Sequence, residues 1–335
     1  MRYARKVFSI LFLALWTLSG FAQENPGKQP ADPSAPQYTF LRDVVYGHKD
    51  GMALTFDVVR PNLNANGAGV LYMVSGGWYS LWVQPERVAW WYKPVLDKGF
   101  SVFLVRHGSA PRYKVPEAVE DVRRCVRFIR MTAADYGVDP ERLGVTGMSA
   151  GGHLSLMLGV AADNGDPKAE DAVLRQSDRV ACVVADFPPT DLRPWVRKKG
   201  TTASRDFPAL QFEEEKAPAC SPLLLVNKEA PPTLLIHGDK DKLVPIEHSR
   251  RILEAFKTAG VPSDLIVIEG GQHGFIGAAK RRADDATVAW FEKYLVPRKQ
   301  DGFIGAAKRR ADDATVAWFE KYLVPRKQAV ASRVP

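Results

Sequence analysis

The sequence offers one hydroxyl in a setting that could make it a nucleophile. Gly147-Met148-Ser149-Ala150-Gly151 is a G-x-S-x-G run that follows the apolar stretch Leu143-Gly144-Val145-Thr146 and opens another apolar stretch. Small neighbours let a strand and a helix approach closely enough to hold such a serine in a strained turn, its hydroxyl projecting from the sheet. The backbone N–H of Ala150, at the helix start, would then point at a developing oxyanion. A serine hydroxyl is a weak nucleophile near neutral pH, so the chemistry also needs a base, usually a histidine steadied by a carboxylate. His153 is nearest in sequence, but it lies on the helix leaving the turn, where packing is the expected role.

These groups need a scaffold. Apolar, β-branched runs predict strands over 38–46, 54–59, 70–74, 101–106, 142–146, 180–186, 233–236 and 265–268. Period-3.6 patterns predict helices over 116–136, 150–161, 246–259 and 274–296, the first with Val119, Val122, Cys125, Val126 and Ile129 on one face and Pro116 in its first turn. Strands alternating with amphipathic helices imply an α/β fold with a mostly parallel central sheet and helices on both faces. In such sheets the working groups collect at the carboxyl ends of the strands.

At those ends stand Val74-Ser75-Gly76-Gly77-Trp78, the serine turn from Gly147 to His153, the run from His237 to Pro245, and Gln272-His273-Gly274-Phe275. Together they resemble the α/β-hydrolase superfamily, and most closely its secreted acetyl-xylan and feruloyl esterases, related to hormone-sensitive-lipase-like enzymes. The likeness runs from about Tyr38 to Val296. It implies a catalytic order of serine, carboxylate, histidine. Asp239 and Asp241 both follow a strand; the D-x-x-V-P pattern of the superfamily implies Asp241 as the acid and leaves Asp239 in a turn. Beyond Asp241, His248 falls inside a helix and reads as a surface residue, whereas His273 follows a strand across a Gly-Gly turn and is the expected base. The related enzymes commonly show His-Gly-Gly-Gly-Trp in the oxyanion loop. Here Val74 and Ser75 replace the first two residues, and the resemblance implies Gly76, Gly77 and Ala150 as backbone N–H donors.

The resemblance implies a serine carboxylic ester hydrolase that needs neither cofactor nor metal, acting on small-molecule or polysaccharide-linked esters of short, acetyl or feruloyl groups. Two other readings share these residues: a prolyl-oligopeptidase-like peptidase, whose usual propeller domain has no room in this chain, and a non-catalytic binding protein on the same scaffold. Trp78, Tyr79, Trp82, Trp90, Trp91 and Tyr92 crowd one segment and could stack on a flat or sugar substrate, though most are expected to cover the sheet. The poorly periodic stretch 186–218 is where a lid over the site is expected.

Arg2, Arg5 and Lys6 precede an apolar run from Val7 to Leu18, the pattern of a signal peptide over 1–22 and hence of a secreted or periplasmic protein. A Pro- and Gly-rich leader over 23–37 is expected to join it to a catalytic domain over 38–300. The formal charge of +8, less those three cations, leaves +5, too diffuse to argue for nucleic acid. Lys280-Arg281-Arg282 sits beside Asp284-Asp285 and reads as a solvated helix face. Of the three cysteines, Cys125 and Cys182 read as buried thiols. Gly274–Gln300 is repeated without change as Gly302–Gln328, with Asp301 standing where His273 stands. The sheet offers one groove to the closing helix, so the segment 301–335 is expected to be dispensable.

Overall fold

Side chains on successive residues of an extended chain point to opposite faces, and here the alternation sorts the apolar residues into two cores. Leu71, Met73, Phe103, Val105, Val145, Val183 and Leu235 pack on one face. Val70, Val102, Leu104, Val184, Leu234 and Ile236 pack on the other. The computed structural model describes residues 37–196 and 205–297. The segments read as signal peptide, leader (but for Gln37) and second repeat lie outside the described residues.

An eight-stranded sheet runs β1-β2-β4-β3-β5-β6-β7-β8. The strands are β1 (Tyr38–Lys49), β2 (Met52–Pro61), β3 (Gly69–Met73), β4 (Ser101–Val105), β5 (Leu143–Met148), β6 (Cys182–Asp186), β7 (Thr233–Gly238) and β8 (Ser263–Ile268). β1 and β2 form an antiparallel hairpin, β2 meets β4 antiparallel, and every other pairing is parallel. This is the mostly parallel sheet expected from the sequence.

Helices cover both faces. α1 (Pro85–Trp91) and α2 (Lys93–Leu96) were not legible as helices in the aromatic segment; Pro85 and Pro94 stand in their first turns, where a missing N–H costs nothing. α3 (Val115–Met131) ends earlier than expected, and the rest of its segment forms a 3-10 turn, Ala133–Tyr136. α4 is Ala150–Val160, α5 (Arg193–Val196) and α6 (Pro222–Leu225) are single turns, α7 is Glu247–Thr258, and α8 is Gly277–Leu295.

α3, α4 and α7 back the first core, while α1, α2 and α8 back the second. α8 closes its face through Phe291 and Leu295, both fully buried. A Cβ built on Gly144 of β5 would lie 2.8 Å from Leu295 Cδ1 and 3.0 Å from Phe291 Cε1. A glycine in the central strand is therefore what lets this helix lie so close. Burying side chains of this size contributes roughly 1.5–3 kcal/mol each.

Cys125, Cys182 and Cys220 are all buried free thiols. Burial raises the pKa of each, that of Cys220 to about 11. Among the described residues no helix is long and apolar enough to cross a membrane.

Candidate active site

Ser149 sits between β5 and α4 with φ +53°, a left-handed conformation that a residue with a side chain adopts only under constraint. The constraint is visible around it. Its N–H donates to Asp186 O over 2.9 Å. A Cβ on Gly147 would lie 2.5 Å from the backbone of Gly151, and one on Gly151 would lie 2.5 Å from Met73 O. The small residues of the turn are thus required by the meeting of β3, β5, β6 and α4.

His273 arrives from the loop after β8. That loop is clamped to the end of β7: Gly270 N–H donates to Asp239 Oδ1 over 2.6 Å and Lys240 N–H to Gly271 O over 2.8 Å. A Cβ on Gly238 would stand 2.3 Å from Gly271 O, so only glycine permits the crossing. Asp239 is the turn residue expected, and the neighbouring carboxylate reaches the imidazole.

The distances join the three groups. His273 Nδ1–H donates to Asp241 Oδ2 over 2.7 Å, leaving Nε2 to accept from Ser149 Oγ–H over 2.8 Å. Asp241 is buried, and its Oδ1 accepts the N–H groups of Leu243 and Val244, both over 2.9 Å. His237, whose pKa burial lowers, donates Nε2–H to Val244 O over 2.8 Å and so braces the same turn. Phe187, at the end of β6 with φ +38°, packs edge-on to His273 with ring centroids 4.7 Å apart. Phe187 carried no sequence signal beyond its place at a strand end.

The loop after β3 departs from expectation at one donor. Gly76 N–H bonds Tyr79 O over 3.0 Å, and Tyr79 N–H returns to Gly76 O over 2.9 Å. This tight bridge engages the Gly76 donor, so Gly76 is corrected from an oxyanion residue to a loop-shaping one. Among the described residues no backbone acceptor takes the N–H of Gly77 or of Ala150. Both residues line the loop and turn beside Ser149, and the first residue of a helix has no intrahelical acceptor.

Ser75, which departs from the superfamily pattern, is held by a histidine that sequence reasoning missed. His107 Nδ1–H donates to Gly108 O over 2.8 Å, and its Nε2 accepts from Ser75 Oγ–H over 2.9 Å. Burial keeps His107 neutral by lowering its pKa. Its position just past β4, at the carboxyl edge of the sheet, was the available signal. His248 is also corrected. It is half-buried, accepts the N–H of Thr190 on Nδ1 over 3.0 Å, and has its pKa pushed down to about 4, chiefly by burial. It ties α7 to the segment after β6, instead of lying on the surface.

A cleft of about 1100 Å³ opens over Ser149 and His273, walled by Gly77, Phe207, Leu243 and Ile276. Phe207, from the stretch expected to form a lid, touches the oxyanion loop: a Cβ on Gly77 would lie 2.7 Å from its ring. A narrower apolar pocket of about 270 Å³ shares Tyr72, Val74, Trp91 and Met148 with the cleft and is floored by Arg106 and Asp57. Among the described residues no group of three His, Cys, Asp or Glu side chains could hold a metal ion.

A family model described as BD-FAE matches residues 56–256. The chain belongs to the BD-FAE family. A dienelactone hydrolase family model also matches residues 217–323. Among solved structures, a truncated carbohydrate esterase from gut microbiota superposes with a TM-score of 0.66 at 25% identity, over 78% of this chain and 98% of that one. An acetyl ester-xyloside bifunctional hydrolase from Caldicellulosiruptor lactoaceticus gives a TM-score of 0.63 at 25% identity, over 78% and 98%. These neighbours, with the sheet order, identify this BD-FAE chain as an α/β-hydrolase. Esterase LipC of Mycobacterium tuberculosis is 29% identical over 71% of this chain, which spans only 60% of the length of LipC. An ethyl acetate hydrolase of Pseudomonas putida is 27% identical over 74% of this chain and 80% of its own length.

Proposed function

We propose that this BD-FAE chain is a serine carboxylic ester hydrolase that works through an acyl-enzyme on Ser149, on carbohydrate-linked esters of short or aryl acids. The observation that carries the reading is the unbroken chain of hydrogen bonds from Ser149 Oγ through His273 to Asp241.

In the first half-reaction Ser149 Oγ attacks the ester carbonyl carbon as its proton passes to His273 Nε2. The carbonyl oxygen, now negative, accepts the N–H groups of Gly77 and Ala150, fixed donors that need no rearrangement when charge develops. Asp241, held by two backbone N–H groups, steadies the imidazolium. The tetrahedral centre then collapses, the C–O bond to the alcohol breaks, and His273 returns the proton to the departing oxygen. Water, deprotonated by His273, attacks the acyl-serine by the same route and releases the acid.

The apolar pocket floored by Arg106 suits the acyl group. Its lining shares Met148 and Val74 with the cleft but includes no residue of the His273 loop, from which the alcohol must receive its proton. The Arg106 guanidinium is engaged by Asp57, Asp43 and Thr55, so it offers the acyl group a closed floor in place of a free cation. The names of the neighbours, a carbohydrate esterase and an acetyl ester-xyloside hydrolase, support a sugar-linked alcohol.

The test is a panel of acetyl, butyryl, octanoyl and feruloyl esters against aminoacyl amides, with a fluorophosphonate probe of Ser149. Ester turnover should fall by about 10⁵–10⁶ in Ser149→Ala and about 10⁴ in Asp241→Asn. Faster cleavage of the amides would transfer the assignment to a peptidase, and a folded protein inert to probe and esters alike would leave only a binding role.

A further inference from the structure

Beside the catalytic cleft a second groove of about 440 Å³ runs between α1–α2 and the first turns of α8. Trp91 lines both cavities. Trp90 is 73% exposed at the groove, its ring centroid 6.4 Å from that of Trp91 and tilted 61° to it. Trp91 is itself 37% exposed, so the two indoles form a continuous exposed aromatic surface at the groove.

Five charged side chains, Lys93, Asp97, Lys280, Arg281 and Asp284, share the rest of the lining with Pro94 and Gly277, and four of the five are paired with one another. Lys93 bonds Asp97 over 2.6 Å on one wall, and Lys280 bonds Asp284 over 2.6 Å on the other. Lys280 Nζ also stands 4.6 Å from the Trp91 ring centroid. These pairs cancel most of the local charge, which disfavours an anionic ligand, and they interrupt the apolar surface a lipid would need. Planar rings beside carboxylate and ammonium groups instead match a sugar, whose C–H face stacks on an indole while its hydroxyls bond charged side chains.

The groove also lies on the appropriate side. His273 must protonate the leaving alcohol, so the alcohol projects toward the His273 loop, and that loop runs directly into α8, whose first residue, Gly277, lines the groove. We propose that this groove is a subsite for a neutral glycan, with Trp90 as its stacking platform, holding sugar units attached to the one that bears the ester. The proposal rests on the ester-hydrolase reading for its orientation.

Two measurements test it. On acetylated xylotetraose, Trp90→Ala should lower kcat/KM about tenfold, chiefly through KM, while p-nitrophenyl acetate turnover is unchanged. In a Ser149→Ala background, unesterified xylotetraose should perturb tryptophan fluorescence, and the added Trp90→Ala change should abolish the response. Equal effects of Trp90→Ala on both esters, or none on either, would overturn the subsite, as would xylotetraose binding that ignores Trp90. Failure of the enzyme reading is separable, because it would appear as no turnover of p-nitrophenyl acetate by the unmodified chain.

Discussion

Trp78 Nε1–H donates to His153 Nδ1 over 3.3 Å, and His153 in turn donates Nε2–H to Cys220 O over 2.8 Å. Trp78 follows Gly77 in the oxyanion loop, and His153 lies one helical turn beyond Ser149. The bond therefore fixes the loop that carries Gly77 to the helix that opens with Ala150, the two residues proposed above as oxyanion donors. Burial lowers the His153 pKa to about 4 from an ordinary 6.5, so the bond needs a neutral ring. The unfolded chain binds that proton at higher pH than the folded one, so the stability His153 confers is full above pH 6.5 and declines as pH falls toward 4. Thermal denaturation should show a midpoint dropping across this window, and His153→Phe should make that part of the profile shallower, His248, whose pKa burial also lowers to about 4, supplying the slope that remains. By orphaning the Trp78 N–H and the Cys220 carbonyl, the variant should also cost roughly 1–3 kcal/mol per group at pH 7.5.

Gly76 and Gly77 are adjacent and identical in type, yet their replacement by alanine should have opposite consequences. At Gly76 a Cβ meets nothing within 4 Å, and the N–H is committed to Tyr79. Gly77 has φ +56°, and its Cβ would strike the Phe207 ring. Gly77→Ala should displace the donor and lower kcat about 10²–10³-fold, the range for loss of one oxyanion donor. Gly76→Ala should retain turnover within about twofold. Comparable losses in the two variants would return Gly76 to the oxyanion hole.

The contrast also marks where the sequence stopped being informative. Ser149 and His273 could be singled out because each stands just past a strand beside glycines, whereas Asp241 was preferred to Asp239 through its resemblance to the superfamily's D-x-x-V-P pattern. The assignment of Gly76 failed because a motif names residue types but not the direction of each N–H, which depended on a four-residue bridge closed by Tyr79. His248 was misread because helical periodicity shows which face a residue occupies, not which distant segment packs on that face; the backbone of Thr190 covers it. The helices α1 and α2 were hidden by their rings, since Trp90, Trp91 and Tyr92 gave no clear period.

Asp186 is expected to work against the fold. Its backbone carbonyl accepts the Ser149 N–H, but its side-chain Oδ1 is sealed from solvent without a hydrogen-bond partner. Burial, aided by Asp284, raises its pKa from an ordinary 3.8 to about 7. Between those values the folded chain holds a proton that the unfolded chain has released, so Asp186 increasingly opposes folding as pH rises, most fully above pH 7. Asp186→Asn, which removes the charge and keeps the shape, should raise the melting temperature at pH 8 and have little effect at pH 4. A lower melting temperature at pH 8 would show the carboxylate to be stabilising.

The repeat at the end of the chain poses a question of occupancy that one phenylalanine can answer. Phe291 of α8 is fully buried, its ring centroid 6.1 Å from that of Phe100, and its edge fills the space over Gly144. The identical residue of the second copy, Phe319, follows Asp301 and not a histidine, so it lacks the tether that delivers α8 to the sheet. Removing Asp301–Gln328 or Gly274–Asp301 gives the same single-copy chain, because the repeated stretches are identical. That chain should keep ester turnover within about twofold. In the full chain, Phe291→Ala should destabilise by about 3–5 kcal/mol, measured by urea denaturation, while Phe319→Ala should leave the midpoint nearly unmoved. If the second copy could take the groove, Phe291→Ala would be tolerated in the full chain and severe only in the single-copy one.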